Sequence, residues 1–439
     1  MKRKKQSVRF RMDHSGMIHM ATLRSGKANI FRLSVTLNEA VQPEMLQEAF
    51  RIIAPRFPTL VAGVESGFLR HYVVPCETLP VVTEDNSPLH DMTPETIRSC
   101  AMRVLYRKDK IITEFFHSLT DGYGGTVFLK ALLAEYLHLT HGISLPEETE
   151  IPLSSQLPQL CETTDSFSEY RSKKRRGFNR VRSYQPSGTE DEPTTHITTG
   201  IFDVNLLLQA AHRYQMTLTS FLTTVMAEAL MELQQRQNKP GKKEKPIQIL
   251  VPVNLRKIFP SRTLRNFSLY ALPCVRSEDS RRTFPELANH IHAQIQQQLS
   301  DAYLRSMIET TAALEHNAFL RLLPLHLKCI GLRIGFRLCG SRTSSLTLSN
   351  LGQFQFPEPM RPYIRHTDFI LSPRTRTPYN CGVVSCNGKL HINFTRSCKN
   401  PELERIFFRK LSEKKCIPEI QTDGKKMEFL HFLQKPVME

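Results

Sequence analysis

A chain of 439 residues with 40% hydrophobic and 23% charged residues has a globular composition, is not a disordered segment, and is too long for one ordinary core, so two domains of roughly 200 residues each are expected. Its formal charge of +17 can draw nucleic acid, anionic lipid or a phosphorylated small molecule. The positive residues are scattered, however, with knots at 1–11, 171–182 and 239–245. No zinc finger, RNP-like aromatic motif or basic zipper accompanies them, which sets nucleic-acid binding aside as the main role.

The most apolar segment, 322–339, carries His326, Lys328, Arg333 and Arg337 and is no membrane span. The basic run 2–5 has no apolar stretch behind it, so no secretory signal is expected, and the reading is a cytoplasmic, reducing setting. The ten cysteines form neither a CxxC pair nor a zinc spacing, and no metal site is expected.

Along the chain, residues 29–37 read as a strand and 43–54 as an amphipathic helix that stops before Pro55. Residues 59–64 and 69–74 read as a hairpin around Ser66 and Gly67, and 100–106 with 111–116 as a second strand pair with a polar turn between them. Residues 125–138 carry a helical apolar stripe at Val127, Leu129, Leu132, Leu133 and Tyr136. The stretch 146–199, rich in Ser, Thr, Pro, Lys and Arg, reads as a linker with one short helix. A strand at 198–204 and helices at 205–214 and 219–235 follow, the second capped by Thr217 or Thr219. Residues 247–253 and 269–275 are buried-strand candidates, and 284–304 reads as one long helix. Strands at 345–349, 367–371, 382–386 and 390–394 come next, the last two joined by Asn387-Gly388, and a helix at 402–411 closes the pattern.

The chemistry concentrates at His117-Ser118-Leu119-Thr120-Asp121-Gly122. A strand ends at Phe116 and a helix begins after the glycines 122, 124 and 125, so His117 sits at a rigid strand end facing a tight turn. An imidazole of near-neutral pKa placed there can take a proton from an attacking hydroxyl or amine. Asp121 could hold the local loop instead of meeting substrate.

This HxxxDG segment after a strand resembles the signature of the chloramphenicol acetyltransferase-like superfamily. That superfamily includes plant BAHD acyltransferases, nonribosomal-peptide condensation domains and alcohol acetyltransferases. Val251-Pro252-Val253-Asn254-Leu255-Arg256 with Asn266-Phe267, and Ser349-Asn350-Leu351-Gly352, are similar to two further segments of that family, in the same order. Phe116 stands where condensation domains usually carry a second histidine, and the BAHD motif DFGWG is absent, as is every Trp. Both departures favour the bacterial alcohol acetyltransferase-like branch.

The resemblance implies a mixed α/β protein of two chloramphenicol acetyltransferase-like domains, a V-shaped pseudo-dimer around a central tunnel. The halves would be 1–160 and 197–439, with a linker at 161–196. It implies His117 as general base and Asp121, next to Gly122, paired with Arg256. Ser349 and Asn350 would lie near the oxyanion or the acceptor, or form an ordinary turn. Asn266 would line the acceptor channel or cap a strand. It also implies acyl-CoA, of acetyl or another short chain, as co-substrate with no bound cofactor, an alcohol or amine acceptor, and a monomer without a transmembrane segment. The alternatives are a donor carried on an acyl carrier protein and a non-catalytic binding protein on the same scaffold.

Overall fold

The computed structural model describes residues 8–23, 29–87, 89–146, 149–170, 181–187, 195–316, 322–339, 342–373 and 378–434. The basic run 2–5 and most of the knot at 171–182 lie outside the described residues.

The fold is mixed α/β. One sheet runs, in spatial order, Ile364–Leu371, Ile30–Leu37, Lys110–Phe116, Met102–Arg107 and Thr83–Glu84. The helices Pro43–Ile53 and Gly122–His141 pack on each other and, with Phe31, Leu33, Phe115 and Phe128, build its core. Pro43 at the first turn pre-sets φ for the first of these helices. The Lys110–Phe116 strand is buried from Ile111 onward because it is a central strand, paired antiparallel on both sides.

The second, larger sheet takes in Ser268–Ala271, Ile247–Asn254, Leu346–Gln353, Tyr379–Cys386, Lys389–Arg396, His196–Asp203, Glu419–Thr422 and Lys425–Met427 in that order. The helices Leu218–Gln237, Phe284–Gln298 and Glu402–Glu413 cover it. Thr217, not Thr219, caps the first of these, its hydroxyl accepting from the Ser220 N–H. A small third sheet joins Phe10–Arg11, His71–Pro75 and Ala62–Ser66. The Asn387-Gly388 turn has φ of 48° and 75°, the left-handed conformations that a two-residue hairpin of this kind requires.

Three features differ from the sequence reading. Residues 284–304 are two helices, Phe284–Gln298 and Asp301–His316, because the chain turns at Leu299-Ser300 and restarts with an acid in the first turn. Ile364–Leu371, though late in the chain, pairs antiparallel with Ile30–Leu37, so the sequence-order halves each contribute to the first sheet. Within the stretch read as a linker, the described residues Glu162 and Tyr184 are packed. Glu162 takes a bidentate ion pair from buried Arg56 at 2.6 and 2.7 Å, and the buried Tyr184 donates its hydroxyl to Gln237.

Candidate active site

His117 is the first residue past the Lys110–Phe116 strand. Its backbone N–H donates to the Asn29 carbonyl at 2.8 Å, which prolongs the ladder by one step and fixes the side chain at the sheet's end. Phe116 turns the other way and is fully buried in the core. This is ordinary strand alternation: one residue feeds the core and the next faces a cavity.

Asp121 caps the following helix. Its Oδ1 accepts from the Tyr123 and Gly124 N–H groups at 3.1 and 3.2 Å. Its Oδ2 accepts from Arg256 Nη1 and from the Phe267 N–H, both at 2.8 Å. Both carboxylate oxygens are therefore engaged within the scaffold. Arg256 is equally committed. Besides Asp121 it donates to the Thr263 and Arg265 carbonyls and to Asn254 Oδ1, and it lies 4.5 Å over the Tyr123 ring. Both side chains are 5% exposed, so the pair is a buried, hydrogen-bonded contact between the two halves.

The same seam holds the histidine loop elsewhere. Thr120 Oγ1 donates to the Leu264 carbonyl at 2.6 Å. A Cβ on Gly124 would lie 2.2 Å from that carbonyl oxygen, so only glycine permits the approach. A Cβ on Gly122 would meet Leu351 Cδ2 at 2.6 Å, which places the late Ser349–Gly352 segment directly against this turn.

Asn266, fully buried, sets the histidine's chemistry. Its Nδ2 donates to the carbonyls of His117 at 3.1 Å and Ser118 at 3.4 Å. That orientation leaves Oδ1, an acceptor only, 3.2 Å from His117 Nδ1. Nδ1 is then the donor in this contact, so a neutral His117 ring carries its proton on Nδ1. The ring is half-buried, stacked on His19 at 4.6 Å and met by Phe31 edge-on at 5.2 Å.

Ser349 and Asn350 line the same cavity as His117. Ser349 is buried. The Asn350 amide is occupied: Nδ2 donates to Thr219 Oγ1 at 3.1 Å and Oδ1 accepts from the Gly352 N–H at 2.9 Å. It thus ties the strand to the start of the Leu218–Gln237 helix. The cavity has a volume of about 2830 Å³ and is walled by both halves. Nine lysines and arginines line it against two aspartates, Asp121 and Asp165.

The sequence reading missed the helix His14–Thr22, which brings His19 onto His117. Asp13 caps it through Gly16 and meets Arg265 of the other half at 3.3 Å. Burial raises the Asp13 carboxyl to about 6. An Asp three residues before a Gly, ahead of Met17, Ile18 and Met20, was the available N-cap signal.

Among the described residues, the metal-ligating side chains close enough to share an ion are His366, Asp368 and His391. They do not line this cavity, and Lys110 Nζ already donates to the Asp368 carboxylate at 2.8 Å.

No protein-family model matches the chain, and no curated protein matches it in sequence. Solved structures do match along nearly its whole length. Polyketide synthase associated protein 5 from Mycobacterium tuberculosis aligns with TM-score 0.59 at 15% identity, over 92% of this chain and 98% of that one. The trichothecene 15-O-acetyltransferase TRI3 from Fusarium sporotrichioides aligns with TM-score 0.58 at 10% identity, over 93% and 94%. The first condensation domain of the calcium-dependent antibiotic synthetase aligns with TM-score 0.58 at 14% identity, over 94% and 99%. The chain therefore shares the fold of these three proteins.

Proposed function

We propose that the protein is an acyltransferase that moves an acyl group from a thioester onto an alcohol or amine, with His117 as general base. The observation that carries this reading is the Asn266 contact. An amide oxygen facing Nδ1 suits the neutral Nδ1–H tautomer, in which Nε2 is the proton acceptor, and His117 lines a cavity walled by both halves.

The acceptor's hydroxyl or amine gives its proton to Nε2 as the nucleophile attacks the thioester carbonyl. The tetrahedral intermediate collapses with cleavage of the C–S bond, and the imidazolium returns the proton to the departing thiolate. Atoms and charge balance without a covalent enzyme intermediate, so no serine or cysteine nucleophile is needed. Ser349, buried at the cavity wall, is the group available to donate to the developing oxyanion, and Asn350 holds the turn beside it. Asp121 and Arg256 position the histidine loop and do not touch substrate.

The basic lining suits a donor bearing phosphate groups, and free acyl-CoA of short chain is the donor proposed. The side chain of Phe116 is buried in the core, so the cavity lacks the second histidine expected of a condensation domain at that position. A thiol-release assay tests the reading, with a panel of acyl-CoA donors against alcohols and amines. Release that requires both substrates and disappears in His117→Ala is the expected result. Transfer solely from an acyl group on a carrier protein would reassign the donor, and silence with every donor would favour a binding protein.

A further inference from the structure

The helix Gly122–His141 runs on from the histidine turn, and the chemistry above uses only its first residues. Gly122, Thr126 and Lys130, each four positions after the last, share one face of it, and all three line the cavity. The late strand Leu346–Gln353 and the residues after it run beside that face. A Cβ on Gly122 would meet Leu351 at 2.6 Å, and Lys130 Nζ stands 5.2 Å over the Phe354 ring, so the two segments approach each other at both places. From Gly122 to Lys130 the helix rises about 12 Å.

Lys130 is an uncommon residue for such a wall. It is half-buried, and the loss of water pushes its ammonium below the ordinary lysine pKa. Among the described residues its Nζ forms no ion pair and no hydrogen bond, and what it meets is the Phe354 ring. Glu150, the carboxylate whose charge acts on it, is exposed and outside ion-pair reach. The other acidic group felt there is the Cys386 thiol, which burial pushes up to about 11 and so keeps neutral. A desolvated ammonium without a counter-charge is costly, and an anion placed beside it removes that cost. The remaining lysines and arginines of the cavity stand on other elements, none on this helix or on the strand Leu346–Gln353. That grouping suits the several phosphates of a donor, whereas one isolated ammonium suits one carboxylate.

We propose that the acceptor lies along this helix face and carries a carboxylate, which pairs with Lys130 while its hydroxyl or amine reaches His117. The substrate class is thus a hydroxy acid or amino acid with its two groups roughly 12 Å apart, the rise of the helix between them. The proposal rests on the acyltransferase reading for what happens at the His117 end, but carboxylate binding at Lys130 can be measured without turnover.

Isothermal titration calorimetry of the full chain with ω-hydroxyoctanoate and ω-hydroxydodecanoate, each beside its methyl ester, tests it, with free CoA as the control ligand. The wild type should bind at least one acid roughly tenfold or more tightly than its neutral ester, the usual worth of a charge-assisted contact. Lys130→Gln should abolish that preference and leave CoA affinity unchanged. A thermal melt shows whether the variant is folded, and if it is not, Lys130→Met, which keeps the apolar stem, takes its place. No binding of either acid to the wild type, or equal affinity for acid and ester, would overturn the proposal. So would a preference that survives in the folded variant. Loss of CoA affinity in the variant would put a donor phosphate at Lys130 and overturn the acceptor assignment. A preference that Lys130→Gln removes, in a protein silent in the thiol-release assay, would sink the acyltransferase reading and leave the carboxylate site standing.

Discussion

Two buried polar clusters tie the halves of this molecule together, and they do so with different chemistry. Beside the cavity, Asp121 is held by Arg256 and by backbone N–H groups, and His117 is held by a neutral amide. At the exchanged strand Ile364–Leu371, Asp368 is held by Lys110 at 2.8 Å and by His391 Nδ1 at 2.7 Å, with His366 stacked on His391 at 4.8 Å. An arginine keeps its charge at any working pH, so the first cluster keeps the Asp121–Arg256 contact across the working range. In the second cluster, burial alone would raise the Asp368 carboxyl, but Lys110 and His391 hold it well below the usual carboxylate range. The same burial pushes His366 down to about 4. The first cluster has an ion pair that pH leaves alone, and the second is a seam that acid weakens.

Replacing His117 with Ala separates chemistry from structure most sharply. Turnover should fall by ~10²–10⁴-fold, the usual range for a general base, with the melting temperature little changed because the loop's backbone contacts remain. Steady-state thiol release and a thermal melt read the two effects, and retention of most of the rate would remove His117 from the mechanism.

Breaking the other member of the cavity cluster should lower stability and activity together. Asp121→Ala or Arg256→Ala leaves a buried charge without its partner and should cost about 3–5 kcal/mol in urea unfolding, with activity falling alongside. The double variant should lose less than the sum of the two. Strict additivity would show that the pair is not coupled.

At the exchanged strand the readout is pH. His366 has a folded pKa of about 4 against an ordinary 6.5, so between those values the unfolded chain binds the proton first and stability falls as pH is lowered. The slope has a ceiling of about 1.4 kcal/mol per pH unit. His366→Gln should flatten the urea midpoint across that window, and an unchanged slope would assign the acid sensitivity to other groups.

The smallest expected change comes from giving His117 a charged partner. Asn266→Asp would stabilise the imidazolium, raise the His117 pKa and move the acid limb of kcat/KM toward higher pH by about one unit. An unmoved limb would mean that Asn266 does not govern the proton on Nδ1.

How much of this was legible in the sequence follows from how far apart the contributing residues lie. The strand, His117, the glycine turn and the helix are contiguous, so alternation and turn chemistry locate them from 18 residues or so of local pattern. The Asn387-Gly388 hairpin and the Thr217 cap are local as well. Asn266 acts on His117 across 149 positions, and nothing in its neighbourhood distinguishes a tautomer-fixing amide from a strand cap. Ile364–Leu371 looks like any half-buried strand, because alternation says which face is apolar and is silent about the sheet it joins. The missed His14–Thr22 helix is short and weakly amphipathic, and its capping aspartate was the local cue that went unused.

The proton on His117 is the central claim, and its position can be measured directly. Long-range ¹⁵N–¹H spectra of the ¹⁵N-histidine-labelled protein, with the His117 signals assigned by their loss in His117→Ala, distinguish the two neutral tautomers. At a pH where the ring is neutral, the account predicts a protonated Nδ1 and a bare Nε2. A proton on Nε2 would contradict it, because the nitrogen required to accept the acceptor's proton would already hold one.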